Sequence, residues 1–159
     1  MTNYSVTAAV RYLRDKNVAF VPHLYDYVEH GGTGESAKQL GVDEHVVVKT
    51  LVFETNERKP LIVLMHGDRE VSQKNLARVL NVKSVEPASP ERAMKFTGYQ
   101  FGGTSPFGLK TSVPIYVERT ILELDRIYIN GGKRGFLVEI DPGVLSDLAL
   151  AEVEVGIES

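Results

Sequence analysis

Hydrophobic residues along the chain occur in short continuous runs and in runs spaced by three or four positions, which predicts alternating strands and short helices. The continuous runs are rich in β-branched residues, as is typical of strands buried in a sheet. Seven strands are predicted by these runs, at Phe20–Tyr27, Val46–Phe53, Leu61–Met65, Val82–Glu86, Val113–Glu118, Ile127–Ile129 and Phe136–Ile140. The residues after Leu150 alternate valine and glutamate, which indicates an edge strand or a loose tail.

Capping residues mark the predicted helices. Ser5, Ser72 and Ser89 each precede a segment with apolar residues on one side, and a serine in that position accepts from free backbone N–H groups. Gly41 and Gly98 stand where a helix ends in the left-handed conformation. Three more segments have helical character, at Glu35–Leu40, Arg119–Leu122 and after Asp141-Pro142.

The connections between several strands are shorter than the dozen or so residues that a parallel crossover needs. The sheet is therefore predicted to be mixed and largely antiparallel. The predicted fold class is α+β, with a curled, open barrel-like sheet surrounded by short helices. No linker, repeat or low-complexity tract interrupts the sequence, so we expect one domain over residues 1–159.

Composition excludes several classes of function. The chain has 159 residues and no cysteine, so it has no disulfide, no thiolate metal site and no cysteine nucleophile. Its four histidines lack the spacing of a zinc site, and we expect neither metal nor cofactor. The net charge of −3 is unlike that of a duplex-DNA binder. No segment has the length of a membrane span or the pattern of a signal peptide. The absence of cysteine suits a cytoplasmic protein.

The most informative stretch is the glycine loop Gly102–Gly108, with the sequence GGTSPFG, which follows a strand-like run at Tyr99–Phe101. Glycines let a ligand approach the main chain closely, and such a loop offers N–H groups to an acyl carbonyl, a phosphate or a sugar hydroxyl. The alternative is a tight turn between two strands. A second glycine segment, Asn130–Gly135, has the same two interpretations.

Lys49 is a charged residue inside an apolar strand. It either extends to solvent from a sheet edge or points into a cleft, where it can polarise a carbonyl, hold a phosphate or act as a base. Tyr25 and Tyr27 are predicted to lie on one face of the first strand, either in a pocket or as ordinary half-buried aromatics. Ser105 has no evident histidine partner, which argues against a serine-hydrolase triad.

These segments in this order resemble the YbaK family of aminoacyl-tRNA deacylases, which is related to the editing domain inserted in bacterial prolyl-tRNA synthetases. The resemblance is carried by VKTLV at Val48–Val52, TGY at Thr97–Tyr99, the loop Gly102–Gly108 and IYINGGKRG at Ile127–Gly135. It extends over almost the whole chain. It implies a metal-free, substrate-assisted hydrolysis of the ester between a wrongly chosen amino acid and the 3′ CCA end of tRNA.

The resemblance also implies roles for individual residues. Lys49 is the implied catalytic residue, which would hold the substrate's terminal adenosine or carbonyl. The implied substrate-binding residues are Tyr25, Thr50, Gly102, Gly103, Thr104, Ser105, Pro106, Gly108, Asn130 and Gly131. In the best-known branch the substrate is cysteinyl-tRNA for proline, but that branch has serine in place of Asn130 and aspartate in place of Leu137. These departures leave a related small amino acid open as the substrate.

Two other functions are compatible with the same sequence. A non-catalytic accessory module would bind tRNA or a synthetase through the same pocket without hydrolysing an ester. A small-molecule hydrolase would act on simple esters and would be indifferent to tRNA. The acidic composition disfavours tight binding of tRNA by the isolated chain, which indicates delivery of the substrate by a partner such as prolyl-tRNA synthetase.

Overall fold

The computed structural model describes residues 3–148 and 150–159. In this part of the chain the α-helices are α1 (Ala8–Asp15), α2 (Gly32–Leu40), α3 (Gln73–Leu80) and α4 (Pro90–Thr97). The strands are β1 (Val21–Leu24), β2 (Val47–Thr55), β3 (Pro60–His66), β4 (Arg69–Val71), β5 (Val85–Pro87), β6 (Ile115–Glu118), β7 (Ile127–Lys133), β8 (Phe136–Ile140), β9 (Leu150–Val153) and β10 (Gly156–Glu158). Short 3₁₀ helices occupy Glu44–Val46, Arg119–Glu123 and Pro142–Asp147.

The main sheet is mixed, in the order β1-β8-β7-β2-β3-β6-β9, with β5 pairing beside β2. The pairs β2–β7, β3–β6 and β6–β9 are parallel, and the other pairs in this sheet are antiparallel. Strands β4 and β10 form a separate two-stranded ribbon. The predicted α+β class with a mixed sheet and short helices is confirmed. No helix in the described ranges is apolar over a length that would span a bilayer.

Capping explains where the helices begin and end. Ser72 and Ser89 accept from the backbone N–H groups of Asn75 and Arg92, as predicted. The predicted cap at Ser5 is wrong, because Thr7 accepts from Val10 and starts α1 two residues later. Gly41 and Gly98 end α2 and α4 with φ of +70° and +81°, in the left-handed region that favours glycine.

The core lies on both faces of the central strands β2 and β3. The side chains of β3 from Leu61 to His66 are buried, because neighbouring strands and helices cover both of its faces. One hydrophobic cluster joins α1 to β3, β7 and β8, and a second joins α3 to β2 and β3. This packing fixes β2 as the rigid strand on which Lys49 and Thr50 are carried.

Three local predictions are wrong in ways that affect the site. Strand β1 ends at Leu24, so Tyr25 and Tyr27 lie beyond it, where the Tyr25 N–H donates to the Gly135 carbonyl. The segment Tyr99–Phe101 is not a strand, because Tyr99 is buried in the core and its hydroxyl donates to the Phe107 carbonyl. The second glycine segment is mostly strand: β7 runs through Lys133 with a bulge, and only Arg134 and Gly135 form the turn.

Candidate active site

Strand β2 has a gap along one edge. Its other edge pairs with β3 from Val48 to Glu54. On the gapped edge, β7 pairs only with Val47 and Val48, and β5 pairs only from Phe53 onward. The Val52 carbonyl accepts from the Ala88 N–H just beyond β5, and residues 49–51 have no strand beside them on this edge. A gap inside a sheet is a place where backbone groups remain available to a ligand.

A cavity of about 590 Å³ lies over this gap. Its walls come from β2, the segment after β1, α2, β4, the glycine loop and the facing strands β7 and β8. The predicted site residues that line it are Tyr25, Lys49, Thr50, Gly102, Thr104 and Asn130. Six residues from four segments that are far apart in sequence thus meet at one concave site of the size that takes a small ligand.

The other predicted binding residues lie outside the cavity lining. Gly103, Ser105 and Pro106 form the buried base of the glycine loop, and Gly108 packs against the backbone of Ala8. Gly131 is buried against the ring of Phe136. The loop's N–H groups are also less available than expected, since Gly103 donates to the Gln100 carbonyl at 2.8 Å and Phe107 donates to the Ser105 hydroxyl at 3.2 Å.

Lys49 is half-buried, and its ammonium donates to the Arg69 carbonyl at 2.5 Å. Burial lowers the pKa of Lys49 below its usual value, while the negative charges of Glu70, Glu44 and Asp68 act in the opposite direction. A lysine ammonium has three N–H donors, and the described residues accept from one of them. The remaining two donors are available to an oxygen in the cavity.

The two glycine segments are joined by side chains that hydrogen-bond to backbone. The Asn130 amide donates to the Gly102 carbonyl at 3.2 Å and accepts from the N–H groups of Gly132 and Lys133 at 2.6 and 3.0 Å. The Arg134 guanidinium donates to the Phe101 carbonyl at 2.8 Å. Asn130 therefore has both ends of its amide occupied, and it positions the glycine loop over the cavity.

Thr50 carries the one buried side-chain polar atom without a hydrogen-bond partner in residues 3–148 and 150–159, its hydroxyl oxygen. Buried polar groups are normally paired, and the Thr50 hydroxyl in the cavity wall is therefore open to a hydrogen-bond partner in the cavity. The position was included among the predicted binding residues only through the family resemblance, because no spacing in the sequence shows that β2 has a gap there.

Aromatic side chains form the mouth of the cavity. Phe101 is 61% exposed although it is a large apolar residue, and Tyr27 lies under the Arg134 guanidinium at 4.8 Å from its ring centre. Burial raises the pKa of Tyr25, so its hydroxyl stays protonated at neutral pH. No functional role was predicted for Phe101 from the sequence, although an aromatic residue directly before a glycine loop is a signal that could have drawn attention to it.

A second polar cluster lies outside the cavity lining. His45, His66 and Asp68 bring possible ligand atoms within 4.8 Å of one another. The two imidazoles are stacked with a 6° angle between their planes, so their in-plane lone pairs do not converge on one ion. Buried His66 donates from Nδ1 to the His45 carbonyl and accepts from Thr120 at Nε2, and burial lowers its pKa, consistent with a neutral ring.

Residues 31–148 match the family model of the aminoacyl-tRNA editing domain. The chain belongs to this family, which confirms the predicted family and the predicted class of enzyme, an aminoacyl-tRNA deacylase.

Two relatives and one solved structure illustrate the match. The chain is 30% identical, over 89% of its length and 87% of the relative's, to a candidate Cys-tRNA(Pro)/Cys-tRNA(Cys) deacylase, EbsC, of Enterococcus faecalis. It is 30% identical to a proline–tRNA ligase of Levilactobacillus brevis over 60% of this chain and 16% of the ligase. A crystal structure of a candidate trans-editing enzyme for prolyl-tRNA synthetase has the same fold, with a TM-score of 0.83, 22% identity and coverage of 98% and 99% of the two chains.

Proposed function

We propose that the protein is a trans-editing hydrolase that removes a small, wrongly attached amino acid from tRNA, with cysteinyl-tRNA for proline or a closely related ester as substrate. One observation carries the proposal: Lys49, the gap at Thr50 and the glycine loop at Gly102 and Thr104 all line one cavity. That cavity has hydrogen-bonding groups along β2 and aromatic residues at its mouth, which suits an amino acid esterified to a terminal adenosine.

The chemistry is the addition of water to the ester carbonyl. The carbonyl oxygen becomes an oxyanion, the bond from the acyl carbon to the ribose oxygen then breaks, and that oxygen takes up a proton. The products are the free amino acid and uncharged tRNA. The ammonium of Lys49 stabilises the negative charge that develops on oxygen, in a half-buried site where such stabilisation is stronger than in water. The proton acceptor for the attacking water is a group of the substrate itself, a ribose hydroxyl or a side-chain thiol.

One part of the cavity wall suits an uncharged side chain of the amino acid. Val47 and Leu137 are 1% and 4% exposed and form an apolar patch of the lining next to Tyr25. Phe101 and Tyr27 at the mouth supply faces on which an adenine can stack. A synthetase partner, prolyl-tRNA synthetase, would deliver the tRNA to this acidic protein in the cytoplasm.

A deacylation screen tests the proposal. Proline tRNA is charged with cysteine, alanine, serine or proline, and release of the amino acid is measured with and without the protein. We expect hydrolysis of at least one of the wrongly charged species and sparing of prolyl-tRNA. Binding of all four without hydrolysis would contradict the proposal, and so would equal hydrolysis of simple amino acid esters that lack tRNA.

The lowered pKa of Lys49 predicts a pH dependence. The ammonium is needed in its charged form, so activity is present below the pKa of Lys49 and is lost as the pH rises through it. Because this pKa is below 10.5, the loss begins at a lower pH than for an ordinary lysine. The measurement is kcat/KM against pH after subtraction of spontaneous ester hydrolysis. In the Lys49→Arg variant the alkaline decline should move upward, and an unchanged profile would contradict the assignment.

Replacement of Asn130 by alanine is expected to lower kcat about 10-fold, since it releases the Gly102 carbonyl and the N–H groups of Gly132 and Lys133. Asn130→Asp keeps the acceptor for the two N–H groups but places a carboxylate against the Gly102 carbonyl. We expect this variant to be no better than the alanine one. The measurement is single-turnover deacylation. Full activity of Asn130→Ala would show that the two glycine segments hold their positions without this side chain.

A further inference from the structure

The backbone direction of Thr50 follows from its neighbours on β2. The Val52 carbonyl accepts from the Ala88 N–H at 2.9 Å, and the Ile62 N–H donates to the Pro114 carbonyl at 2.9 Å. Val52 and Ile62 are opposite each other on β2 and β3, so each directs its backbone groups away from the other. Backbone direction alternates along a strand, and Thr50, two residues before Val52, therefore also directs its N–H and C=O away from β3.

That direction leads into the gap. The ladder with β7 ends at Val48, opposite Ile129, and the ladder with β5 begins at Phe53, opposite Pro87. No residue in the described ranges forms a backbone ladder with Thr50 on this side or hydrogen-bonds its backbone from a side chain. The unpaired hydroxyl of the same residue is buried beside these groups. Thr50 thus presents one donor, one acceptor and one hydroxyl to the cavity.

We propose that the aminoacyl group of the substrate pairs with Thr50 as a strand one residue long, which rests on the proposed function above. The Thr50 N–H donates to the ester carbonyl oxygen, and the Thr50 carbonyl accepts from the α-ammonium group. The fit follows from the chemistry of any α-amino acid. When an amino acid is extended, its nitrogen and its carbonyl oxygen point to the same side of the chain. The distance between them matches the distance between the N–H and the C=O of a residue on a neighbouring strand. The amino acid fills the gap that β7 and β5 leave open.

This pairing assigns a specificity. The enzyme recognises the α-aminoacyl group in addition to the side chain that the cavity wall selects, and the Thr50 N–H joins Lys49 in stabilising the oxyanion. An ester with an α-hydroxyl in place of the α-ammonium loses a charged hydrogen bond to the Thr50 carbonyl. We expect its hydrolysis to be about 10-fold to 100-fold slower, because bonds to charged groups are the stronger ones.

The first test changes the substrate. The aminoacyl-tRNA that is hydrolysed fastest in the screen is compared with the α-hydroxyacyl-tRNA made from it by nitrous acid deamination. Where the amino acid is cysteine, its thiol is first protected as a mixed disulfide and is released by reduction afterwards, because nitrous acid would nitrosate it. Both enzymatic rates are divided by the spontaneous rates of the same esters, because the α-ammonium also activates the uncatalysed reaction. A preference of 10-fold or more for the amino ester is expected. Equal normalised rates would overturn the proposal while leaving the deacylase function in place.

The second test changes the backbone. Thr50→Pro removes the N–H, and Thr50→Ala retains it, so the ratio of the two activities reports on that donor. Proline is tolerated in a strand where the N–H has no ladder partner. We expect Thr50→Pro to be at least about 10-fold less active than Thr50→Ala, with the fold of both verified by circular dichroism. Equal activities of two folded variants would overturn the role of the N–H. If no mischarged tRNA is hydrolysed by the wild-type protein, both the proposed function and this inference fail.

Discussion

The Lys49→Met variant is expected to lose about 10²-fold or more in kcat/KM for deacylation, which is the usual cost of removing a single donor to a developing oxyanion. Methionine keeps the length and the apolar stem of lysine, so the change removes the charge and little packing. The ammonium has two donors left after its bond to the Arg69 carbonyl, and β2 holds it over the cavity. The measurement is single-turnover release of the amino acid from mischarged tRNA.

The division of this loss between kcat and KM identifies the role of Lys49. A lower kcat with unchanged KM means that the ammonium acts on the transition state, whereas a higher KM alone means that it holds the adenosine or a phosphate. Lys59→Met is the matched control, because this exposed lysine precedes β3 and lies outside the cavity lining. The control should retain wild-type activity. A Lys49→Met protein that deacylates at the wild-type rate would refute the catalytic assignment.

The stability of Lys49→Met should not fall with its activity. Burial disfavours the charged form of Lys49, as its lowered pKa indicates. Replacing Lys49 by methionine removes this desolvation cost, and it also removes the hydrogen bond to the Arg69 carbonyl. We therefore expect a thermal midpoint equal to or above that of the wild type. This expectation separates a loss of chemistry from a loss of fold.

The sequence predicted the central strands well because their hydrophobic runs reflect burial on both faces. The prediction at Leu61–Met65 differs from β3 by one residue at each end, and Ser72 and Ser89 cap the helices they were expected to cap. These features depend on a few neighbouring residues. Tyr99–Phe101 was wrongly predicted as a strand. Aromatic residues are common in strands, but here the aromatic side chain of Tyr99 is buried in the core from a segment that is not a strand.

The geometry of the site could not be predicted from short sequence patterns. The gap beside Thr50 exists because β7 and β5 pair with opposite ends of β2, and the three segments are far apart in the sequence. Likewise, Asn130 was predicted to bind substrate; it lines the cavity, and its amide also hydrogen-bonds to the backbone of the two glycine segments. Contacts between distant segments decide such geometry, and the family resemblance supplied these positions only as predictions.

Gly103 is expected to be sensitive to even a small side chain, because the loop packs there against the backbone of the facing hairpin. A Cβ atom there would lie 2.8 Å from the Arg134 nitrogen and 2.9 Å from the Lys133 carbonyl carbon. These are backbone atoms of the facing hairpin, which cannot turn aside as a side chain can. Gly103→Ala is therefore expected to separate the two glycine segments and to lower deacylation about 10-fold to 100-fold. Overpacking of this kind also costs about 1–3 kcal/mol of stability.

Gly34→Ala is the matched control for this change. A Cβ atom at Gly34 would have its nearest neighbour at 3.7 Å, which is an ordinary contact, and alanine favours the helix in which Gly34 lies. This variant should keep full activity and melt at the same or a higher temperature. Urea titration and single-turnover deacylation of both variants provide the comparison.

The Arg134→Met variant shows whether activity is lost because the glycine loop is misaligned or because the whole fold is less stable. It removes the bond to the Phe101 carbonyl and leaves the backbone contact at Gly103 intact. If the hairpin positions the loop over the ester, this variant should lose activity in the same direction with a smaller loss of stability. Wild-type activity in folded Gly103→Ala and Arg134→Met proteins would show that the loop acts without that alignment. Deacylation would then depend on Lys49 and the edge of β2, and not on the position of the glycine loop.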